Sequence, residues 1–422
     1  MTLVSFISFS VFVFVALISL RKGTDIFSPA RLLTLIWSLA IGLVDLKLSR
    51  FQVIWSSFSW AMLLIAISSM LIGVFIVYVI NFPNKVTSLV ITRSQFEKRD
   101  LNVGLLFKVI IFLFLSYIIS FVVTSLVEGY IPLFTFAPDA TRSKWGIFGF
   151  GLFIQVVPAL IYFIMLYFIV ASKQNSHRIF VSLLLLITFA SYLLILQRFY
   201  LVYSALLTIV FLFYSSKKIN LKNLIVVLLI LFVIVYGISA IRTSRYLINI
   251  IHYISAMKYS SKYAFFTEPY MYVVMNLENF AAAVNKLEVF DYGYNSFDFI
   301  LALSGLKHWI FEYANIQEFP FIITTSFNTY TMFFAYYKDF GVLGLFFVPL
   351  PLGMIISMLY YRMRREPSMS NISLYGIFVF VILFSFFIPI LSWLHFIFNL
   401  VLIVSITNYI ENKNKILING GS

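Results

Sequence analysis

The strongest constraint on this chain is a succession of apolar runs, each near the length that crosses a bilayer, from its first residues almost to its last. A helix needs about 20 apolar residues to span the hydrocarbon core, where every backbone polar group must be satisfied within the segment. Such runs are read at 3–20, 30–46, 55–80, 103–126, 147–170, 179–196, 199–214, 224–241, 342–361, 374–391 and 394–410. The expectation is an all-α, polytopic integral-membrane bundle of about eleven transmembrane helices. Composition agrees. Of 422 residues, 62% are hydrophobic and 11% charged, against about 45–50% and 25% in soluble domains, which excludes an ordinary soluble enzyme. The run at Met1 has no basic residue before it and no small-residue cleavage site after it, so it is read as a first helix and not as a signal peptide. The absence of cysteine removes disulfides, thiolate nucleophiles and Cys-ligated metals.

The formal charge of +14 would suggest nucleic acid in a soluble chain, but here it follows topology. Short cytoplasmic loops collect Lys and Arg. Taking alternate connections, one set holds seventeen basic residues, from Arg21 and Lys22 through Arg362, Arg364 and Arg365 to Lys413 and Lys415, whereas the other short loops hold only Lys47, Arg50, Arg142, Lys144 and Arg198. The first set is therefore read as cytoplasmic, with the N-terminus outside and the C-terminus inside, and nucleic acid is not an expected partner. Lys108, near the start of the fourth run, is read as snorkelling to the surface. The whole chain, 1–422, is read as one membrane domain. Its long connection, 242–329, falls outside and is rich in aromatics such as Tyr253, Tyr259, Tyr263, Phe265, Phe266, Tyr270 and Tyr272. A loop so long and apolar is expected to be an ordered, largely helical cap packed on the bundle.

Familiar catalytic signatures are absent: no Walker-type loop, no dinucleotide fingerprint, no HExxH helix and no Asp-x-Asp pair. The four histidines are scattered at 177, 252, 308 and 395, so neither a metal site nor a cofactor is expected. What stands out is arginine where the positive-inside rule does not put it. Arg142 follows the turn Gly129-Tyr130-Ile131-Pro132-Leu133, Arg198 sits with Gln197 in a very short connection, and Arg242 and Arg245 lie where the eighth run ends. Guanidinium recognises phosphate through paired, charge-assisted hydrogen bonds, so these four would suit a lipid diphosphate. The competing role is a tether to headgroups or an ion pair with Asp139 or Glu268. A nearly membrane-embedded charge is costly, which favours function for Arg198.

A second cluster runs Asn328-Thr329-Tyr330-Thr331, then Tyr336-Tyr337-Lys338-Asp339-Phe340-Gly341 and Gly344, just before the ninth run. Asp339 could act as a catalytic base alongside the candidates His308 and Glu312, orient a sugar hydroxyl, pair with an arginine, or simply partner Lys338 or cap a helix. The glycines suit close helix packing, and Tyr330 and Tyr337 suit either sugar stacking or an interfacial aromatic belt. His308 and Glu312, four residues apart, share a helix face and either could act as general base, with a structural cap histidine as the alternative. His395, in the turn joining the last two runs, is equally open, and Glu278, Asp291 and Asp298 are cap acids with no distinguishing context.

Together, the Gly129–Leu133 turn leading to Arg142, the arginine at 198, the large late loop, and Asn328-Thr329-Tyr330 with Asp339-Phe340-Gly341-Val342-Leu343-Gly344 resemble the bacterial O-antigen and capsule repeat-unit polymerases of the Wzy type. The resemblance covers most of the chain in architecture and rests on short motifs. It implies a GT-C-like bundle in the inner membrane that, at the outer face, transfers a growing glycan from undecaprenyl diphosphate to the nonreducing end of another lipid-linked repeat unit. Implied partners are the undecaprenyl-diphosphate-linked oligosaccharide, membrane lipids, a chain-length regulator and a flippase. Arg142, Arg198, Arg242 and Arg245 would hold the donor diphosphate, while Asn328, Tyr330 and Asp339 would flank the catalytic cavity. The chain departs from the arginine-x10-glycine loops of some members, with Phe153 and Ile209 at the glycine positions. The rival functions are an O-antigen ligase, which differs in its acceptor, and a lipid-linked oligosaccharide flippase, for which charges within central spans would be expected.

Overall fold

The structure, a computed structural model, describes residues 2–21, 23–82, 88–97, 101–136, 141–142, 144–147, 149–171, 177–197, 199–216, 245–306, 309 and 321–419. Helix dominates throughout, and among these residues the only β pairing is a single antiparallel bridge between Ser49 and Met257. The helices are α1 (Leu3–Ser19), α2 (Pro29–Asp45), α3 (Ser57–Asn81), α4 (Leu89–Glu97), α5 (Val103–Glu128), α6 (Phe150–Ile154), α7 (Val157–Val170), α8 (Arg178–Leu194), α9 (Phe199–Ser215), α10 (Arg245–Ile254), α11 (Thr267–Lys286), α12 (Asp298–Ser304), α13 (Phe333–Phe347), α14 (Pro349–Arg365), α15 (Met369–Leu383) and α16 (Leu394–Asn419).

Among the described residues, four helical runs are long and apolar enough to cross a membrane: Ser57–Asn81, Val103–Phe134, Phe150–Val170 and Leu394–Lys413. The pair α13 and α14, bent by 56°, is together apolar and long enough for a broken span or a re-entrant loop, and α1, α8, α9 and α15 are apolar but shorter. The chain is thus an all-helical membrane protein. The expected run at 224–241 lies outside the described residues.

Local chemistry sets several boundaries. Asn102 caps α5 by accepting from Leu105 N at 2.9 Å, and Gly129 ends it in the left-handed conformation. Ser56 caps α3 through Ser59 N at 3.1 Å. The run expected at 147–170 is divided into α6 and α7, because Pro158 has no N–H to carry the ladder back to Ile154. The run expected at 342–361 is corrected more substantially. Its helix already begins at Phe333, so Lys338 and Asp339 lie within α13 and not ahead of it, and Gly341 interrupts that helix at φ +60°. Helix α4, in a connection where no helix was expected, adds a further element.

The chain divides into two compact units. The first comprises 1–89, 236–365 and 378–397, and the second 90–235, 366–377 and 398–422. In the first, α3 and α14 pack with their backbones in near contact. A Cβ on Gly73 would stand 2.1 Å from Leu350 O, and one on Gly353 would stand 2.1 Å from Met70 O, so only glycine permits this approach. Asp45, at the end of α2, caps α1 by accepting from Thr2 Oγ1 and, at 3.0 Å, from Ser5 N. Trp37 donates to Ser385 Oγ at 3.0 Å and stacks on Phe333. In the second unit, buried hydroxyls tie helices together: Tyr117 with Ser191 at 2.8 Å and Tyr162 with Ser373 at 2.6 Å. Such bonds satisfy polar groups where hydrocarbon would leave them costly.

Candidate functional site

In the first unit a cluster of polar side chains lies on α11, which is buried along most of its length. Tyr270 and Glu278 lie two turns apart on one face, and Asn276 and Asn279 on another. Glu278 is fully buried and accepts from Lys47 Nζ at 2.6 Å, Trp55 Nε1 at 2.9 Å and Gln52 Nε2 at 3.4 Å. Lys47 reaches it from the α2–α3 connection with its own backbone in the left-handed region, φ +50°, and its ammonium 5.1 Å from the Trp55 ring. Tyr270 completes the cluster. Its hydroxyl donates to Gln52 Oε1 at 2.7 Å and accepts from Leu48 N at 3.1 Å, and burial pushes its phenol up to about 12. A buried carboxylate is tolerated only when paired and hydrogen-bonded, and here each oxygen is engaged.

The other face of α11 shapes the segment before α13. Asn279 donates to Phe327 O at 3.0 Å and Thr329 O at 2.9 Å and accepts from Ile323 N at 3.1 Å, while Thr329 Oγ1 donates to Asn276 Oδ1. Asn328 between these anchors is exposed, whereas Tyr330 is buried and stacked on Phe334 with centroids 3.9 Å apart. Tyr337 is also buried and donates to Val284 O at 3.1 Å.

The segment 291–296 closes over the middle of α13. Asp339 accepts three hydrogen bonds, from Asn295 N at 3.0 Å, Asn295 Nδ2 at 2.9 Å and Ser296 N at 2.6 Å. Lys338 pairs with Asp291 at 3.1 Å, and the backbones join through Asp291 N to Lys338 O and Tyr292 N to Asp339 O, both 3.0 Å. The chain turns at Gly341, where a Cβ would meet the Phe290 ring at 2.9 Å. Two charges can therefore lie inside a largely apolar helix because a separate segment supplies their partners.

The second unit holds Arg142. The turn after α5 folds back on itself, with Trp145 Nε1 donating to Tyr130 O at 3.0 Å and Thr135 meeting Thr141 through their hydroxyls at 2.7 Å. From this platform Arg142 Nη1 donates to Leu196 O at 3.0 Å. Leu196 adopts φ +61° in the connection before position 198, and Tyr192 OH holds Gln197 Oε1 at 3.0 Å.

The expected site residues thus fall in two groups. The structure holds Tyr337 and Asp339 on α13 and Asn328 and Tyr330 in the segment leading to it, and sets Arg142 against the connection that carries Arg198. Arg198, Arg242, His308 and Glu312 lie outside the described residues, as does the side chain of Arg245, whose backbone begins α10. Sequence reasoning gave Glu278 and Lys47 no site role and did not name Asn276, Asn279 and Asn295. The available signal was the polar stripe in α11, with Asn276 and Asn279 three residues apart and Tyr270 eight before Glu278. Among the described residues no cluster of His, Asp and Glu could hold a metal ion. No family model, curated protein or solved structure matches this chain.

Proposed function

We propose that this protein is a glycan polymerase of the Wzy type: an inner-membrane bundle of about eleven spans with GT-C-like architecture, its N-terminus outside and its C-terminus cytoplasmic. It acts at the outer face on undecaprenyl-diphosphate-linked repeat units, and the 242–329 connection forms its outer cap. The observation that carries the proposal is the hydrogen bond from Arg142 to Leu196 O, which holds one misplaced arginine against the connection bearing another.

In the proposed reaction the acceptor sugar's hydroxyl oxygen attacks the anomeric carbon of the donor glycan. The bond from that carbon to the diphosphate oxygen breaks, and the diphosphate leaves with the electron pair. Arg142 and Arg198, joined by Arg242 and Arg245, stabilise the departing charge in a low-dielectric setting, where fixed cations act most strongly. The hydroxyl proton passes to a base on the cap, His308 or Glu312. Three of the acceptor positions of Asp339 are filled by Asn295 and Ser296, which supports a positioning role for it. Asn328 is proposed to meet a sugar, a reading supported by its exposure between two anchored carbonyls.

A ligase would use the same arginines with a different acceptor. The one feature that favours a flippase is the bent helix pair carrying Lys338 and Asp339. Both charges, however, are closed by the 291–296 segment.

The arginine role is tested by measuring the affinity of the reconstituted protein for undecaprenyl diphosphate. Losing a charge-assisted contact, about 1.5–3 kcal/mol, weakens binding about tenfold or more. Arg142→Ala is expected to do so and Arg142→Lys to recover part of it. Unchanged affinity in folded Arg142→Ala would overturn the assignment.

A further inference from the structure

The first unit carries a surface that is neither a membrane span nor part of the clusters above. Helix α10 is sided. His252 faces inward, its Nδ1 2.8 Å from Thr267 Oγ1 and its Nε2 3.0 Å from Tyr259 O. Ile250, Tyr253 and Ile254 share the opposite face and are exposed. Tyr263, Phe265 and Phe266 add exposed aromatic surface after it, and Val53 and Ile54, the latter 94% exposed, add more from the α2–α3 connection.

These pieces form one body. Arg50 N donates to Ala256 O at 2.9 Å, Lys258 N to Leu48 O at 2.8 Å and Ser49 Oγ to Ser255 O at 2.6 Å, so the end of α10 is stitched to the connection between two helices. That connection fixes the depth of the patch. Ile54 lies three residues before Ser57, where a membrane-capable helix begins, so it can stand no more than about 10 Å from that boundary. With ten residues, α10 is about 15 Å long, half of what a span requires. Its surroundings are basic. Arg50, Lys258 and Lys262 are exposed, and Glu268 is the only acid in 46–56 and 245–270.

We infer that α10, the Val53-Ile54 tip and the 263–266 aromatics form a monotopic foot that lies in the headgroup layer of the bilayer. The apolar side chains enter the acyl boundary, and Arg50, Lys258 and Lys262 sit on the phosphates of anionic phospholipid. Apolar faces flanked by lysine and arginine bind this layer by buried area and by charge, and tyrosine prefers its depth. The inference is independent of the glycan chemistry proposed above. It assigns α10 a surface that would anchor one end of the 242–329 connection against the membrane.

The absence of cysteine allows a direct test. Ile54→Cys and Ile254→Cys, each in the full chain and labelled with an environment-sensitive fluorophore, are reconstituted in vesicles of phosphatidylcholine with about 30% phosphatidylglycerol. Both probes are expected to show blue-shifted emission, protection from aqueous iodide, and stronger quenching by lipids spin-labelled near the headgroup than near the chain end. In the Lys258→Glu/Lys262→Glu background the protection should fall, and should fall further in anionic than in neutral vesicles. Iodide quenching of both probes in the unsubstituted background would overturn the inference. So would protection from iodide with no quenching by either lipid spin label, which would assign the patch to a protein partner or a second copy. Two independent positions keep the result readable if one variant fails to fold.

Discussion

At the start of α2, Asp25 meets Arg364 Nη1 at 2.5 Å and Tyr360 OH at 3.1 Å, in a pair whose members are about equally buried. Beyond the other end of the same helix, Lys47 reaches Glu278 in a cluster that also takes in Trp55, Gln52 and Tyr270. The first is a compact lock between the connection before α2 and the last turns of α14, which also takes in Phe27 N. The second is one layer of a larger construction on α11, which continues through Asn276 and Asn279 to the 323–329 segment and through Val284 to Tyr337. Polar groups at one end of α2 shut the unit; at the other they build and hold irregular chain. Irregular chain on a rigid frame is where binding residues collect, and the positive-inside reading puts that end outside, where the proposed substrate is used.

The difference predicts distinct mutational behaviour, strongest at the lock. Arg364→Ala strands a buried carboxylate and is expected to cost about 3–5 kcal/mol, read as a lower thermal midpoint in nanodiscs. Replacing both members, Asp25→Leu with Arg364→Met, should recover the part due to the stranded charge but not the acceptor lost to Phe27 N and Tyr360 OH, and a double variant as unstable as the single would break the comparison. The same exchange at the elaborate end, Lys47→Met with Glu278→Leu, should not recover. Trp55 Nε1 and Gln52 lose their acceptor there, and a deficit of about 2–3 kcal/mol is expected to remain in the same melt. Asp339→Asn replaces an acceptor carboxylate by an amide facing three N–H donors. About 1–3 kcal/mol is expected, appearing in hydrogen exchange as selective loss of protection over 291–296 while the α3–α14 pair stays protected. The smallest effect is at Tyr337→Phe, about 0.5–1.5 kcal/mol for one hydrogen bond, measured in the same melts.

The helical framework was legible because hydropathy is a one-dimensional signal. The runs expected at 3–20, 30–46, 55–80, 103–126 and 199–214 correspond closely to α1, α2, α3, α5 and α9. The break at Gly341 and the early start of α13 were not legible. They depend on charge partners nearly fifty residues upstream, and hydropathy reads Lys338 and Asp339 as ending an apolar run. Glu278 was given no site role for the same reason: its meaning lies in Lys47 and Trp55, more than two hundred residues away. Arg142 was singled out by contrast because arginine in a short connection on the less basic side departs from a rule of composition, and its role remains a proposal. Arg198, Arg242, His308 and Glu312 lie outside the described residues, so that part of the expected site stands on sequence alone.

The central proposal is tested most directly by incubating the purified chain in nanodiscs with a matched undecaprenyl-diphosphate-linked repeat unit, with and without lipid A core, and resolving the products. The account predicts a ladder of lipid-linked glycans without core, lost in Arg142→Ala and in Arg198→Ala. Transfer seen only in the presence of core, or no transfer by folded protein under either condition, would contradict it.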